Sequence, residues 1–221
     1  MAVKTSRKID VSNLLTKLRK TMKESSIIEP TEWLLAFLYA AGGKTPSRIH
    51  VQKALFIASR YLSKLRESLE FNAYRMGPWS EEANDALENS LLSGLITESK
   101  KGLTLTDLGL AKAKAAWGRL SAKDRRILTD VANFVNSMTE DELLLYVYTV
   151  YGYSEKSDVI QKLLRKRREL AASILRKGLI STDLAAKIAG EPLPRFIKYL
   201  RKRGIKPFTA EVSDIEKAEK L

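Results

Sequence analysis

With one histidine and no cysteine in 221 residues, the chain has few ways to do covalent or metal chemistry. Thiolate nucleophiles, disulfides and zinc–thiolate sites are excluded by composition. A histidine triad or histidine metal site would have to be built on His50 alone. His50 opens an apolar-patterned helix, where a packed or capping histidine is the ordinary role. The stretch "TEDE", residues 139–142, gathers carboxylates, but its spacing is also that of a helix start capped by Thr139. "AAGGKTPS" has glycines and a Lys-Thr pair without the spacing of a phosphate-cradling loop. Tyr146, Tyr148, Tyr151 and Tyr153 make a stripe that suits either base stacking or core packing. The chain therefore reads as a non-enzyme, with no metal and no cofactor expected.

The chemistry that stands out is ionic. The net charge is +13, and it is unevenly placed: +5 over residues 1–24, −1 over 25–155, +11 over 156–206 and −2 over 207–221. A field this concentrated favours a polyanion, most often nucleic acid. A basic surface that serves only solubility is the alternative. Within the basic stretch, Arg165, Lys166, Arg167 and Arg168 sit on one helical segment, and Arg195, Lys198, Arg201, Lys202 and Arg203 on another. Both sets suit phosphates, which position a protein without reading sequence.

The elements that must carry these residues follow from periodicity and punctuation. Residues 9–23 read as an amphipathic basic helix or arm. "EPTEWLLAFLYAAG" is a helix with a start signal at Pro30-Thr31 and a stop at Gly42-Gly43. "SRIHVQKALFIASRYLSKL" reads as one amphipathic helix burying Ile49, Leu55, Ile57 or Ala58, and Leu62. Gly77-Pro78 marks a turn, and residues 80–93 form a helix capped by Ser80. "LITESKKGLTLTD" predicts a hairpin around Lys100-Lys101-Gly102, and a helix capped by Thr106 or Asp107 follows. Two more helices, a long helix over 155–178 and a helical pair over 183–204 complete the chain. The expected fold class is all-α: a winged-helix-like N-terminal module with one small β-hairpin, and a C-terminal helix-turn-helix. The expected organisation is an arm over 1–26, a partner-binding domain over 27–155, a basic helix-turn-helix domain over 156–206, and a charged tail over 207–221. No signal peptide or membrane-spanning run is visible, so a soluble cytoplasmic protein with no membrane partner is expected.

The pair "DLAAKIAGEPLPRFIKYLRKRG" has what a helix-turn-helix needs. Ala186 and Ala189 allow close crossing, Gly190 makes the turn, and Phe196, Tyr199 and Leu200 anchor the second helix; Ser181 or Thr182 can cap the first. Its base-reading positions, Leu193, Pro194, Ile197 and Lys198, are poor hydrogen-bonding groups for base edges, and Glu191 stands where a small apolar residue is usual. Strong salt dependence and modest sequence specificity follow. The earlier helix, 80–93, carries Glu81, Glu82, Asp85 and Glu88 and would repel a phosphate backbone. That module suits a protein partner, with Tyr74, Arg75, Gly77, Pro78 and Trp79 as the candidate docking turn.

Two stretches resemble known families. "VQKALFIASRYL", "FNAYRMGPWSEEANDALENSLLSGLI" and "LTLTDLG", within residues 31–150, resemble the Panacea domain of SocA-like, phage-associated antitoxins. "RKRRELAASILRKGLISTDLAAKIAGEPLPRFIKYLRKRGI", residues 165–205, resembles a small helix-turn-helix family grouped with VapB-type antitoxins. The resemblance implies a non-enzymatic regulator in which one part neutralises a toxin or other protein and another binds DNA or supports assembly. Double-stranded DNA, a protein partner and a second copy of the chain, as a homodimer, are the expected partners. A protein–protein adaptor or antitoxin that binds no nucleic acid is the alternative.

Overall fold

The computed structural model describes residues 28–206; the arm expected over 1–26 and the tail over 207–221 lie outside the described residues. The described chain is mostly helical, with ten helices, a three-stranded antiparallel sheet and a separate two-stranded hairpin.

Helix α1 (Pro30–Ala40) starts at Glu29 rather than at the expected Thr31. Pro30 takes the first helical position, where its missing N–H costs nothing, and the Glu29 N–H donates to Glu32 Oε2 at 3.0 Å. Trp33 through Leu38 are all buried, so α1 must be enclosed on every side. Helices α2 (Arg48–Ser59), α4 (Glu81–Leu92), α5 (Asp107–Arg119) and α6 (Ala122–Asn136) pack around it.

The expected single amphipathic helix over residues 47–65 is two helices. α2 ends at Ser59, and α3 (Ser63–Ser68) follows. Nor is α2 amphipathic. Every residue from His50 to Ser59 is buried, polar ones included. Those polar groups hold loops in place. Ser47 Oγ and the Met138 carbonyl flank the His50 ring at 2.9 and 3.0 Å. Gln52 exchanges two hydrogen bonds with the Ser80 backbone, donating to its carbonyl and accepting from its N–H, each at 3.0 Å. Lys53 donates from Nζ to the Pro78 carbonyl at 2.9 Å. A periodicity reading takes such groups as a solvent face, whereas here each hydrogen-bonds the backbone of a distant segment.

Beyond the expected hairpin, β4 (Ile96–Ser99) with β5 (Gly102–Leu105), two further strand pairings appear. β1 (Lys44–Thr45) joins the other edge of β5, and β2 (Asn72–Tyr74) pairs with β3 (Gly77–Trp79). Gly77, at φ 83°, takes the left-handed conformation that the tight Arg75-Met76 turn needs. A Cβ there would also come within 2.8 Å of the Tyr148 ring.

α5 and α6 begin at the hydroxyl caps Thr106 and Ser121. α7 (Glu140–Tyr151) begins with a reciprocal Thr139–Glu142 box, with the Thr139 N–H donating to Glu142 Oε2 at 2.7 Å and the Glu142 N–H to Thr139 Oγ1 at 3.3 Å. α8 (Ile160–Arg176) packs against α7 and against α9 (Thr182–Ala189), which packs against α10 (Leu193–Lys202). The long helix thus starts at Ile160, later than its pattern suggests. The preceding residues bend so that Asp158 can pair with Arg75 on the β2–β3 turn. Among the described residues, no helix is long and apolar enough to cross a membrane.

Lys53 is 1% exposed with no carboxylate partner, and burial lowers its pKa to about 7. An unfolded lysine titrates near 10.4. Between these values the unfolded chain holds a proton that the native state lacks, so stability must rise with pH from about 7 to 10. Lys53→Met should abolish that rise and stabilise the protein most below pH 7, as read by urea denaturation across the range.

Candidate nucleic-acid interface

The apolar rows of α8 and α10 decide where their charges go. α8 buries Leu163, Ala171, Ala172, Ile174 and Leu175, and α10 buries Phe196 and Leu200. Arg165, Lys166, Arg195 and Arg203 are left exposed and, with Tyr199, line an open cleft of about 560 Å³ between the two helices. Arg195, Tyr199 and Arg203 are four apart, which places them on one face of α10 and its cap. Lys198 and Lys202 form the next exposed row by the same spacing; with the exposed Arg201 they lie outside the cleft lining.

The cleft also uses charge to hold itself together. Arg168 pairs with Glu191 through Nε and an Nη nitrogen. Its guanidinium carbon lies 5.1 Å from the centre of the Tyr199 ring, and that of Arg203 lies 5.4 Å from the same ring. An aromatic face stabilises each cation where solvent alone would leave them to repel. Arg167 points inward. Its Nε donates to the Ile188 carbonyl at 2.9 Å, a carbonyl in the last turn of α9, where the helix dipole favours a cation. A side chain at Gly190, which has φ 67°, would bring Cβ within 2.3 Å of the Arg167 guanidinium. Gly190 is therefore fixed by backbone conformation and by the seat it leaves for Arg167.

Of the nine basic residues expected from sequence to meet phosphates, Arg165, Lys166 and Arg195 stand exposed along the cleft, Arg203 is exposed there against the Tyr199 ring, Arg167 and Arg168 serve the fold within it, and Lys198, Arg201 and Lys202 flank it. The sequence reading did not find the structural roles of Arg167, Arg168 and Glu191. Signals were present: Arg167 is four residues after Leu163 and seven before Ile174 on the buried row, and Glu191 is a lone carboxylate between basic runs. Tyr199, read as an apolar anchor, also carries the two guanidinium groups.

Among the expected base-edge positions, Leu193 and Ile197 are half-buried, and Pro194 and Lys198 are exposed. On the central unit, Tyr74 and Arg75 are exposed, Trp79 is half-buried, and Gly77 and Pro78 are buried. α4 carries Glu81, Glu82, Asp85 and Glu88, of which Glu88 pairs with Arg48.

The other chemical candidates settle into packing. His50 is 1% exposed, and burial lowers its pKa against the opposing pull of the Met138 carbonyl. Tyr148 is buried, and Tyr146, Tyr151 and Tyr153 are partly buried in an aromatic cluster around Phe56 and Phe134. Glu142 is buried against Lys177 at 2.6 Å. Burial alone would raise its pKa, but Lys177, Ser173 and the Thr139 N–H together hold it below the ordinary value. Among the described residues, no group of three or more His, Asp or Glu could hold a metal ion. No protein-family model matches the chain, and a comparison with curated proteins finds no match.

Gly190→Ala should cost about 2 kcal/mol of stability, from left-handed strain and displacement of Arg167. In an Arg167→Ala background the same change should cost measurably less, because only the strain remains. Urea denaturation of the four proteins of this cycle separates the two contributions. Equal costs in both backgrounds would show that Arg167 does not occupy that seat.

Proposed function

We propose that this protein is a non-enzymatic DNA-binding regulator. It holds duplex DNA by its phosphates along the α8–α10 cleft and docks a protein partner on its central unit. The observation that carries this reading is the convergence of Arg165, Lys166, Arg195 and Arg203 on one open cleft that holds two carboxylates, the exposed Glu169 and Glu191, of which Glu191 is already taken by Arg168. On this reading α9 and α10 act as a helix-turn-helix, and the unit containing α4 and the β4–β5 hairpin is a winged-helix relative whose acidic helix turns away from DNA. Leu193, Pro194 and Ile197 offer apolar contact and no hydrogen bonds to base edges, so sequence preference is modest and comes in part from DNA shape. The division of labour matches that of the antitoxins the sequence resembles, and an antitoxin-like regulator in the cytoplasm is the proposed role. A homodimer would multiply weak phosphate contacts across paired half-sites.

Replacing Arg165, Lys166 and Arg195 together by Ala tests the cleft without touching the Arg167 and Arg168 clamps. Each lost phosphate contact should lower the slope of log K against log salt by about 0.9. The triple variant should therefore lose about 2–3 units of slope and bind all duplexes more weakly alike. An unchanged slope and affinity would remove the cleft from the interface. A protein that binds no DNA even at low salt would pass the basic face to an acidic protein partner.

A further inference from the structure

The β2–β3 hairpin leaves an aromatic notch on the surface of the central unit. The pairing sets Tyr74 opposite Gly77 and Asn72 opposite Trp79. Strand alternation puts these four residues on one face, and Gly77 contributes no side chain to it. Tyr74 therefore leans across toward its diagonal neighbour Trp79, with ring centroids 5.8 Å apart and planes at 38°. Tyr74 stays 49% exposed. The space beside the rings, about 270 Å³, is bounded by Glu70, Glu81 and Glu82.

None of these three carboxylates pairs with a Lys or Arg among the described residues. Glu82 accepts from Ser80 Oγ at 2.6 Å and Glu70 from Asn72 Nδ2 at 3.5 Å, both neutral partners. The nearest cation along the hairpin, Arg75, is held by Asp158. Asp85, one helical turn beyond Glu81 and exposed, extends the acidic strip away from the notch.

An aromatic pair with carboxylates at its rim that no described Lys or Arg neutralises recognises a cation: the ring faces attract an ammonium or guanidinium, and the carboxylates pair with it. The volume is below the range of small-molecule and cofactor pockets but takes one side chain. We propose that this notch binds a Lys or Arg side chain on a basic segment of a partner protein, with following basic residues lying along Glu81 and Asp85. The proposal builds on the central unit as a protein-docking module and gives the partner its chemistry. The same carboxylates repel DNA, so the notch and the cleft between α8 and α10 select partners of opposite charge.

The test uses the full chain and a short labelled peptide of alternating Arg and Ala, with an alternating Glu and Ala peptide beside it. Binding is followed by anisotropy at low salt and by amide hydrogen exchange. The Arg peptide should bind, protect residues 72–82, and lose affinity about three- to fivefold in each of Tyr74→Ala and Glu81→Gln, the worth of one exposed cation–π or ionic contact. Both side chains are exposed, so both variants keep the fold; their duplex-DNA affinity should not change. Equal peptide affinity in wild type and variants, or equal binding of the Glu peptide, overturns the notch. Protection elsewhere within 27–155 overturns the notch and leaves the docking module standing, whereas no protection anywhere in that unit overturns both. Concentration-dependent self-association lost in Tyr74→Ala would give the notch to a second copy and overturn the proposal.

Discussion

Crowding of like charge is the constraint on which the C-terminal basic stretch is built. Residues 156–206 carry +11, and three helices must still pack closely. The structure answers by engaging some cations as fasteners. Arg167 closes the end of α9, Arg168 binds Glu191, Tyr199 receives Arg168 and Arg203, and Lys177 reaches the buried Glu142 on α7. Each device replaces repulsion with a directed contact. Of the cations left over, Arg165, Lys166 and Arg195 line one cleft, with the exposed Glu169 among them, and Lys198, Arg201 and Lys202 lie outside it. A chain that needed only solubility would gain nothing from bringing them together; a phosphate backbone would.

The central unit is nearly neutral, at −1 over residues 25–155, and packs without that crowding. α1 and α2 are enclosed, and the polar groups buried on α2 act as staples for the loops around them. Lys53, under the β2–β3 hairpin, joins the core to the face that carries Tyr74 and Trp79. Arg75 on the same hairpin holds Asp158 just before α8, and Lys177, the residue that caps the end of α8, holds Glu142. The hairpin and α7 are thus both tied to the basic helices, and the two charged faces sit on one connected scaffold.

Much of this was legible in the sequence. The hydroxyl caps Ser80, Thr106, Thr139 and Ser181, the glycine at 190 and the β4–β5 hairpin all announce themselves through local chemistry, and local chemistry decides them in the structure. The basic stretch was legible as composition, since charge counted by segment picks out residues 156–206; that some of it lines a cleft depends on the fold. What stayed hidden depends on distant partners. Nothing near His50, Gln52 or Lys53 says that their mates are the backbones of Met138, Ser80 and Pro78. β1 is two residues long and exists because β5 offers it an edge. Arg167 and Arg168 look like phosphate ligands until Ile188 and Glu191 are brought beside them. Sequence showed how much charge there was; only the fold shows which charges are already engaged.

The measurement that bears most directly on the proposed phosphate-binding role of the cleft is the affinity of the full chain for a labelled random duplex across a series of salt concentrations, followed by fluorescence anisotropy. Four exposed cations lining one cleft predict micromolar or tighter binding at low salt, with log K falling linearly against log salt at a slope of about −3.6 or steeper. No binding at low salt, or binding indifferent to salt, would contradict it.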